Sequence, residues 1–392
     1  MTNLLLYIFA IFRRILVIPF RLFTRKRYII FENWGGYGDS PRKVYDELIR
    51  RGYGEKYGMI WASNMDVNSI EAPQEIAKNC IIIDYTKLLS FKNHILMSLC
   101  QASIVCDNYV ICAPKRKGKA TAFYICHGSP VKDTRSYYPI PDCFVDQYVC
   151  ASPQLIPALS YATQFPQDRI QGLGYPRNDD LFRNDLDLNE LFGYSKQKFI
   201  AWYPTFRKNK FFKTIKGGVN QIPLIHEQSI AIELNEYAKK NDIVFVLKPH
   251  HSQDLSIFKN LDFSNIRLID DAFFAEHGIT SYHFLANCDA LVTDYSSVIY
   301  DYMLCNKPIA LIWEDIEEYR KSPGLAPNIE QYLECAHKVY SLQDMKKFLD
   351  IVKNGNDPLE EIRQKVKLAV NASDKPDNTA RVTDYIIKMA KL

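Results

Sequence analysis

The chain has 392 residues, of which 47% are hydrophobic and 24% are charged. This length and composition are typical of a globular protein with two domains, and they exclude a single small module. The formal net charge of +4 is too small to indicate a nucleic-acid partner, and no arginine-rich stretch suggests one. The ten cysteines lie singly without a CxxC pair, so we expect a reducing cytoplasm with neither zinc nor disulfides.

The first 27 residues differ in composition from the rest of the chain. Apolar runs at 4–12 and 15–20 are interrupted by Arg13 and Arg14, so neither reaches the roughly 20 residues of a membrane-spanning helix. A helix here would carry arginines on one narrow face and apolar side chains over the rest. The pattern predicts an amphipathic helix lying on an anionic membrane surface, at the cytoplasmic face. A cleaved signal peptide and a helix buried in a partner are the alternatives.

From residue 28 onwards, short apolar runs alternate with amphipathic segments, which is typical of βα units in parallel sheets. The predicted strands are 28–31, 59–62, 80–84, 103–106, 122–126, 147–150, 199–203, 243–247, 266–269, 290–293 and 308–313. The predicted helices include 41–51, 91–101 and 153–164, and residues 357–392 are expected to be helical and to pack across both domains. A polar stretch separates two series of strands, so we expect a membrane-associating segment over 1–27, one Rossmann-like domain over 28–185 and a second over 186–392.

Five of the predicted strands are followed by polar, glycine or basic residues. In open parallel sheets, ligands bind beyond the carboxyl ends of the strands. The residues at these ends are Asn33, Gly35 and Gly36; His127, Gly128 and Ser129; Pro204, Thr205 and Arg207; Lys248 and His250; and Asp294, Ser296 and Ser297. Five such ends in two domains predict a binding cleft between the domains.

In residues 291–302 (LVTDYSSVIYDY), an apolar run is followed by the polar residues Thr293–Ser297, which we call the elbow. A helix is expected to begin there. The first turn of a helix has unpaired N–H groups and a partial positive charge, so it can hold a phosphate without a lysine. The elbow therefore predicts a phosphate or diphosphate site. The alternative is that the aspartate and serines cap a helix for structural reasons.

Two histidines follow predicted strands. His127 precedes a glycine, and an imidazole is the side chain best matched to proton transfer near neutral pH. His250 could bind or protonate a leaving phosphate, while a structural role is the alternative for each residue. Five further histidines do not follow a predicted strand in this way and are assigned structural roles: His94, His226, His277, His283 and His337.

A set of motifs, in order, resembles the CDP-glycerol glycerophosphotransferase family of teichoic-acid and capsule synthesis. The motifs are FENWGGYGDSPRKVYDEL, CDNY, HGSPVKD, GYPRND, YPTFR, KPHH and TDYSSVIYDYMLCNKPI, within residues 28–315. The resemblance implies an α/β GT-B fold, with two doubly wound Rossmann-like domains facing a cleft. It also implies an acceptor-side first domain, a second domain that binds a CDP-polyol donor, and CMP as the leaving group.

The resemblance also implies roles for individual residues. His127 would deprotonate the acceptor hydroxyl, and His250 would neutralise the diphosphate or protonate the departing CMP. Gly128, Ser129 and Pro130 would line the diphosphate and polyol end of the donor. The remaining predicted substrate-binding residues are Arg177, Thr205, Arg207, Lys248, Asp294, Ser296, Ser297 and Asp301.

Several of these predicted roles have alternatives. Arg177 and Arg207 would each hold two phosphate oxygens through a planar guanidinium. The alternative is that they form a salt bridge at the interdomain hinge. Asp294 would orient hydroxyls or cap the helix beside the phosphate-binding serines. Asp301 would meet the ribose or hold an arginine, or be a solvated helix carboxylate.

We expect no metal and no cofactor, because the sequence has no carboxylate cluster of the kind that holds magnesium. The expected partners are a CDP-polyol, with CDP-glycerol preferred to CDP-ribitol, a lipid-linked or polymeric glycan acceptor, and the anionic membrane surface. Departures from the family pattern at Cys126, Lys208 and Lys248 leave the donor and acceptor open. A GT-B glycosyltransferase that uses a nucleotide sugar and a catalytically silent membrane scaffold are the rival functions. The oligomeric state, and the choice between single-unit addition and polymerisation, stay open.

Overall fold

The structure, a computed structural model, divides into two compact units. It describes residues 27–33, 36–63, 73–84, 101–107, 120–125, 128–135, 140, 144–205, 222–249, 253–259 and 261–392, together with Ile8 and Ile15. The first unit comprises Met1–Gly128, Pro139–Asp179 and Asp377–Leu392, and the second comprises Ser129–Tyr138 and Asp180–Pro376.

The first unit is built on a seven-stranded sheet in the order β3-β2-β1-β4-β5-β6-β7. Its strands are β1 (Tyr28–Glu32), β2 (Gly58–Ser63), β3 (Cys80–Asp84), β4 (Gln101–Cys106), β5 (Thr121–Ile125), β6 (Gln147–Cys150) and β7 (Ile170–Gly172). All neighbours are parallel, and Ile30 lies between Ile60 and Ile104. These three residues are fully buried, as expected for a sheet that is covered on both faces. The strand order reverses between β1 and β4, which makes this the topological switch point of the unit.

The second unit is built on a six-stranded parallel sheet in the order β10-β9-β8-β11-β12-β13. Its strands are β8 (Lys198–Trp202), β9 (Ile243–Leu247), β10 (Ile266–Leu268), β11 (Ala290–Thr293), β12 (Ile309–Ile312) and β13 (His337–Val339). Every residue of β9 is fully buried, and Phe245 belongs to the hydrophobic core together with Leu234 and Leu349. The switch point of this unit lies between β8 and β11.

Helices connect most of these strands. In chain order they are α1 (Asp39–Arg50), α2 (Tyr53–Lys56), α3 (Gln74–Asn79), α4 (Ile156–Thr163), α5 (Leu188–Phe192), α6 (Gln228–Lys240), α7 (Asp271–Glu276), α8 (Ser281–Asn287), α9 (Val298–Tyr302), α10 (Ile316–Lys321), α11 (Glu330–Leu333), α12 (Leu342–Asn354), α13 (Glu360–Val370) and α14 (Asn378–Ala390). In α6, Ala231, Leu234 and Ala238 recur at helical spacing and are buried, so one apolar face of the helix meets the core.

The last helix corrects the predicted domain boundaries, because α14 belongs to the first unit and not to a domain over 186–392. Tyr385 of α14 packs edge to face on Phe123 of β5, with ring centroids 6.0 Å apart. Asp384 forms an ion pair with Arg51 at the end of α1. Contacts of this kind join residues far apart in the chain, so local sequence patterns do not reveal them.

All of the predicted strands are present, which confirms the two parallel-sheet α/β units. The sequence missed β7 and β13, two three-residue strands that lie at the ends of their sheets. The predicted helix over 91–101 lies outside the described residues except Gln101, which begins β4. The predicted amphipathic helix also lies outside them, except that Ile8 and Ile15 are helical. Within the described part of the chain, no helix is long and apolar enough to span a membrane.

A buried charged group stabilises the second unit beside α13. The carboxylate of Asp357 accepts hydrogen bonds from Arg363 (2.6 Å) and His337 (2.8 Å), and Arg363 is fully buried. Burial alone would raise the pKa of Asp357, but the bonds from His337, the Leu359 N–H and Arg363 outweigh it and hold that pKa well below its usual range.

Asp357→Ala is expected to lower the free energy of unfolding by about 3–5 kcal/mol, because it leaves the Arg363 guanidinium buried without its counter-charge. Since the pKa of Asp357 is depressed in the folded state, its contribution is present above about pH 4 and is lost as the pH falls further. Urea denaturation at neutral pH and at lower pH measures both effects. Asp374→Ala, at an exposed carboxylate, is the matched control and should change little.

Candidate functional site

The switch point of the second unit joins two of the predicted site residues. Thr205 follows β8 and Asp294 follows β11, and these strands are neighbours. Asp294 accepts a hydrogen bond from the Thr205 N–H with one carboxylate oxygen and from the Thr205 hydroxyl with the other, each at 2.9 Å. The Thr293 hydroxyl also donates to the Tyr203 carbonyl at 2.6 Å. The two strand ends are therefore held together, and Asp294 fixes the orientation of the Thr205 hydroxyl.

The elbow that follows Asp294 places two serines at the start of α9. Ser296 and Ser297 are partly exposed, whereas Asp294 is 2% exposed. The Val298 N–H makes a long bond to the Ser296 hydroxyl at 3.4 Å. Among the described residues, no backbone carbonyl accepts from the N–H groups of Ser296 and Ser297. The elbow thus presents N–H and hydroxyl donors at a helix start, which is the arrangement that an anion requires.

Asp301 lies in α9 and is fully buried. Its carboxylate accepts a hydrogen bond from the Tyr282 hydroxyl at 2.6 Å, which ties α9 to α8. The alternative of a solvated helix carboxylate is therefore wrong. Full burial favours a structural role over the predicted contact with ribose.

Ser129 and Pro130 belong to the second unit, whereas Gly128 belongs to the first. The Tyr300 hydroxyl of α9 donates to the Pro130 carbonyl at 3.3 Å. The following residues pair with 324–326, where the Ala326 N–H donates to the Val131 carbonyl at 2.9 Å. The fold therefore brings Pro130 to the helix of the elbow. The sequence had placed this segment within the domain over 28–185, because a return of the chain to the second sheet leaves no local signal.

Lys248 follows β9, next to β8 in the sheet. Its N–H donates to the Trp202 carbonyl at 3.0 Å, which fixes its backbone at the carboxyl edge. Its ammonium lies 3.0 Å from the Asp271 carboxylate, and the Asp271 side chain is 90% exposed. Because such a solvated ion pair contributes little free energy, an incoming phosphate could replace Asp271 at low cost.

Arg177 lies in the first unit and forms a salt bridge there. Its Nη1 lies 2.9 Å from the Asp39 carboxylate, and its N–H donates to the Ser40 hydroxyl at 3.4 Å. Its side chain is 7% exposed. Arg177 thus belongs to a different unit from Asp294, Thr205 and the elbow, and a contact with donor phosphates stays a prediction.

At the switch point of the first unit, Asn33 was predicted to lie at a strand end, but its partner Asp107 was not among the predicted residues. Asn33 follows β1 and Asp107 follows β4, and the Asn33 amide donates to the Asp107 carboxylate at 2.9 Å. Both residues are buried. The pair joins the ends of the two strands that flank the switch point, as Thr205 and Asp294 do in the second unit. The CDNY motif contained the signal, because its aspartate directly follows a strand.

A second omission lies at the end of β12, where Glu314 and Asp315 follow the strand after Trp313. The Tyr295 hydroxyl of the elbow donates to Asp315 at 2.9 Å. The rule that ligands bind beyond the carboxyl ends of strands applies here as well, so the sequence carried the signal.

The remaining predicted residues, His127, Arg207 and His250, lie outside the described residues. Their predicted roles stay predictions. Among the described residues, no group of three His, Cys, Asp or Glu side chains is placed to hold a metal ion.

Two parallel-sheet units with polar switch points define the α/β class of the GT-B type. A solved structure of the wall teichoic acid polymerase TagF has this fold, with a TM-score of 0.71 and 20% identity. The similarity covers 99% of this chain and 95% of that one.

The family described as CDP-Glycerol:Poly(glycerophosphate) glycerophosphotransferase matches residues 14–388, so the chain belongs to this family of transferases. A teichoic acid poly(glycerol phosphate) polymerase of Bacillus spizizenii is 26% identical over 378 residues, covering 86% of this chain and 89% of the relative. A protein of Staphylococcus epidermidis with the same name is 26% identical over 346 residues. That match covers 79% of this chain but spans 43% of the relative.

Proposed function

We propose that the protein transfers glycerol phosphate from CDP-glycerol to a hydroxyl group of a polymeric glycan acceptor and releases CMP, in the synthesis of a teichoic-acid-like or capsular polymer. Family membership over most of the chain supports the reaction class. The names of the relatives support glycerol phosphate as the transferred group and a polymer as the acceptor.

The geometry at the switch point of the second unit carries this proposal. Asp294 holds Thr205 through both of its carboxylate oxygens, which rigidly positions the strand ends beneath the elbow. The donors of Ser296 and Ser297 then face a diphosphate, and Lys248, at the end of β9 on the other side of β8, supplies positive charge. Preorganised donors of this kind stabilise developing negative charge without rearrangement during the reaction.

The proposed chemistry is in-line displacement at the phosphorus atom that bears glycerol. The acceptor oxygen forms the new P–O bond, and the P–O bond to CMP breaks as the electron pair leaves with the CMP phosphate. His127 takes the proton of the acceptor hydroxyl, and His250 neutralises or protonates the departing CMP. Positioning and charge neutralisation supply most of the rate, because phosphoryl transfer needs little covalent help from the protein.

A donor panel tests the reaction. CDP-glycerol, CDP-ribitol and several UDP-sugars are offered with membrane extract as acceptor, and the released nucleotide and product mass are identified. CMP release with a glycerol phosphate mass increment is expected. Release of UDP would instead support the glycosyltransferase alternative. No turnover, together with no binding of CDP-polyols by calorimetry, would support a silent scaffold.

The acceptor is proposed to be linked to lipid at the cytoplasmic face of the membrane, where the segment 1–27 would hold the enzyme. Apolar burial and arginine attraction to anionic lipid act together in such a helix. The exposed positions Ile8 and Ile15 are both helical and lie seven residues apart, so they fall near one face.

Deletion of residues 1–24 is expected to move the protein from the membrane fraction to the soluble fraction, while transfer to a soluble acceptor analogue stays close to that of the full chain. Cell fractionation and the CMP-release assay measure the two properties. A double variant, Arg13→Glu with Arg14→Glu, retains the apolar residues. Its loss of membrane binding measures how much of that binding comes from the attraction of the arginines to anionic lipid. Loss of transfer along with membrane binding would show that the segment is part of the catalytic fold.

A further inference from the structure

The chain segment that follows His127 in the sequence is paired with a second segment of the second unit. The Val131 carbonyl accepts from the Ala326 N–H at 2.9 Å, and the Asp133 N–H donates to the Gly324 carbonyl at 3.0 Å. An antiparallel bridge lies between these two bonds. Val131 and Ala326 are each 3% exposed. The segment is therefore held by backbone hydrogen bonds and by burial of an apolar side chain, which together fix its position.

Gly324 gives the pairing segment 324–326 its path. Its φ is 89°, in the left-handed region that glycine adopts without strain. Its N–H donates to the Tyr319 carbonyl of α10 at 2.9 Å, while its own carbonyl accepts from Asp133. The glycine thus turns the chain after α10 so that the next residues meet the segment that follows His127.

Tyr300 of α9 makes a further bond to the same segment. Its side chain is fully buried, and its hydroxyl donates to the Pro130 carbonyl at 3.3 Å. Burial raises the pKa of Tyr300 above its usual value, so the hydroxyl keeps its proton and acts as the donor. The Tyr300 carbonyl accepts from the Asn371 amide at 2.8 Å. The residue that holds Pro130 is therefore held in turn.

Helix α9 connects this bond to the elbow. The serines of the elbow lie at the start of the helix, and Tyr300 lies about one turn further along it. The helix is anchored at Asp301, which accepts from Tyr282, and at Tyr302, whose hydroxyl donates to the Cys288 carbonyl at 3.0 Å. A short helix with these anchors moves as one body. The elbow and the segment bonded to Tyr300 therefore keep a fixed separation.

Pro130 lies three residues after His127, and three residues span at most about 11 Å. A shift of Pro130 is therefore passed on to residues this close in the chain. We propose that Tyr300 and the segment 324–326 are positioning elements that hold His127 in place for its part in the reaction. Positioning matters here because a displacement of about 1 Å can cost roughly 100-fold in rate. This inference rests on the proposed function, because His127 is the base proposed there.

Tyr300→Phe removes the hydroxyl and keeps the buried ring. We expect kcat for CMP release at saturating CDP-glycerol to fall about three- to tenfold, the rate equivalent of one net hydrogen bond. CMP affinity measured by calorimetry should stay within about twofold, because the donors of the elbow are unchanged. A fall in CMP affinity as large as the fall in kcat would overturn the inference, since the elbow itself would then be disturbed.

Tyr302→Phe is the matched control for Tyr300→Phe. It removes a bond of the same kind from a fully buried tyrosine of the same helix, but the carbonyl that loses its donor is that of Cys288. Urea denaturation should show a similar loss of stability in both variants, while Tyr302→Phe keeps kcat within about twofold. Equal losses of kcat in the two variants would overturn the inference, because lost stability would then explain both.

Gly324→Ala tests the pairing segment independently of Tyr300. A side chain at a φ of 89° is strained, so the segment 324–326 should shift and kcat should fall by about tenfold or more. Gly355→Ala is the matched control, because Gly355 has a φ of 67° at the end of α12 in the same unit. It should lose similar stability and keep its kcat. An unchanged kcat in Gly324→Ala would overturn the inference.

A double-mutant cycle shows whether Tyr300 acts through His127. In the His127→Ala background, Tyr300→Phe should leave the residual kcat within about twofold, because no base remains to be displaced. A further loss of about three- to tenfold in that background would overturn the inference. If the unaltered protein does not release CMP from CDP-glycerol, the proposed function fails first. CMP release by the unaltered protein with full kcat in Tyr300→Phe rejects this inference alone.

Discussion

Replacement of His127 by alanine is expected to lower turnover of CDP-glycerol by about 10²- to 10⁴-fold while the protein stays folded and binds CMP normally. A positioned general base contributes a rate factor of this size, and the loss should fall on kcat because the imidazole acts on the acceptor hydroxyl. CMP release under saturating donor measures the effect. Thermal unfolding and CMP titration establish that fold and donor binding are retained.

His277→Ala is the matched control, because it also removes one imidazole but at a surface position that contacts the Phe273 carbonyl. Its turnover should equal that of the unaltered protein. The pH dependence adds a second readout, since the acidic limb of the kcat profile should vanish in His127→Ala if this imidazole must be neutral to accept the proton. Nearly full turnover in His127→Ala would show that another group is the base.

Asp294→Ala is expected to lower kcat/KM for CDP-glycerol by about 100-fold. The substitution removes the acceptor of the half-buried Thr205 N–H and of the Thr205 hydroxyl, so the end of β8 is no longer fixed to the elbow. A displacement of about 1 Å in a positioning element can cost roughly 100-fold in rate. The free energy of unfolding should fall by about 1–3 kcal/mol, because Thr205 loses its hydrogen bonds to a charged carboxylate.

Thr205→Val is the matched comparison, since it removes the hydroxyl and keeps the backbone N–H bond to Asp294. Its loss in kcat/KM should be clearly smaller than that of Asp294→Ala. Steady-state kinetics with CDP-glycerol and urea denaturation measure the two effects separately. If Asp294→Ala kept the kcat/KM of the unaltered protein, the hydrogen bonds between Asp294 and Thr205 would have no part in donor binding.

The sequence alone determined the two parallel sheets and which strand ends are followed by the predicted site residues. Strands that are buried on both faces read as continuous apolar runs, so β9 and β11 were evident without knowledge of their neighbours. Residues that follow such runs must lie at the carboxyl edge of a parallel sheet. Asp294, Thr205 and Lys248 could therefore be assigned to one edge before their contacts were known.

Only the tertiary structure decided what these side chains contact and which unit holds each segment. The bonds of Asp294 to Thr205 and of Asp301 to Tyr282 join residues that the chain brings together through sheet order and helix packing. The same holds for the return of 129–138 to the second unit and of α14 to the first. Hydrophobic periodicity indicates whether a side chain faces a core, but it does not identify the residue that the side chain contacts there.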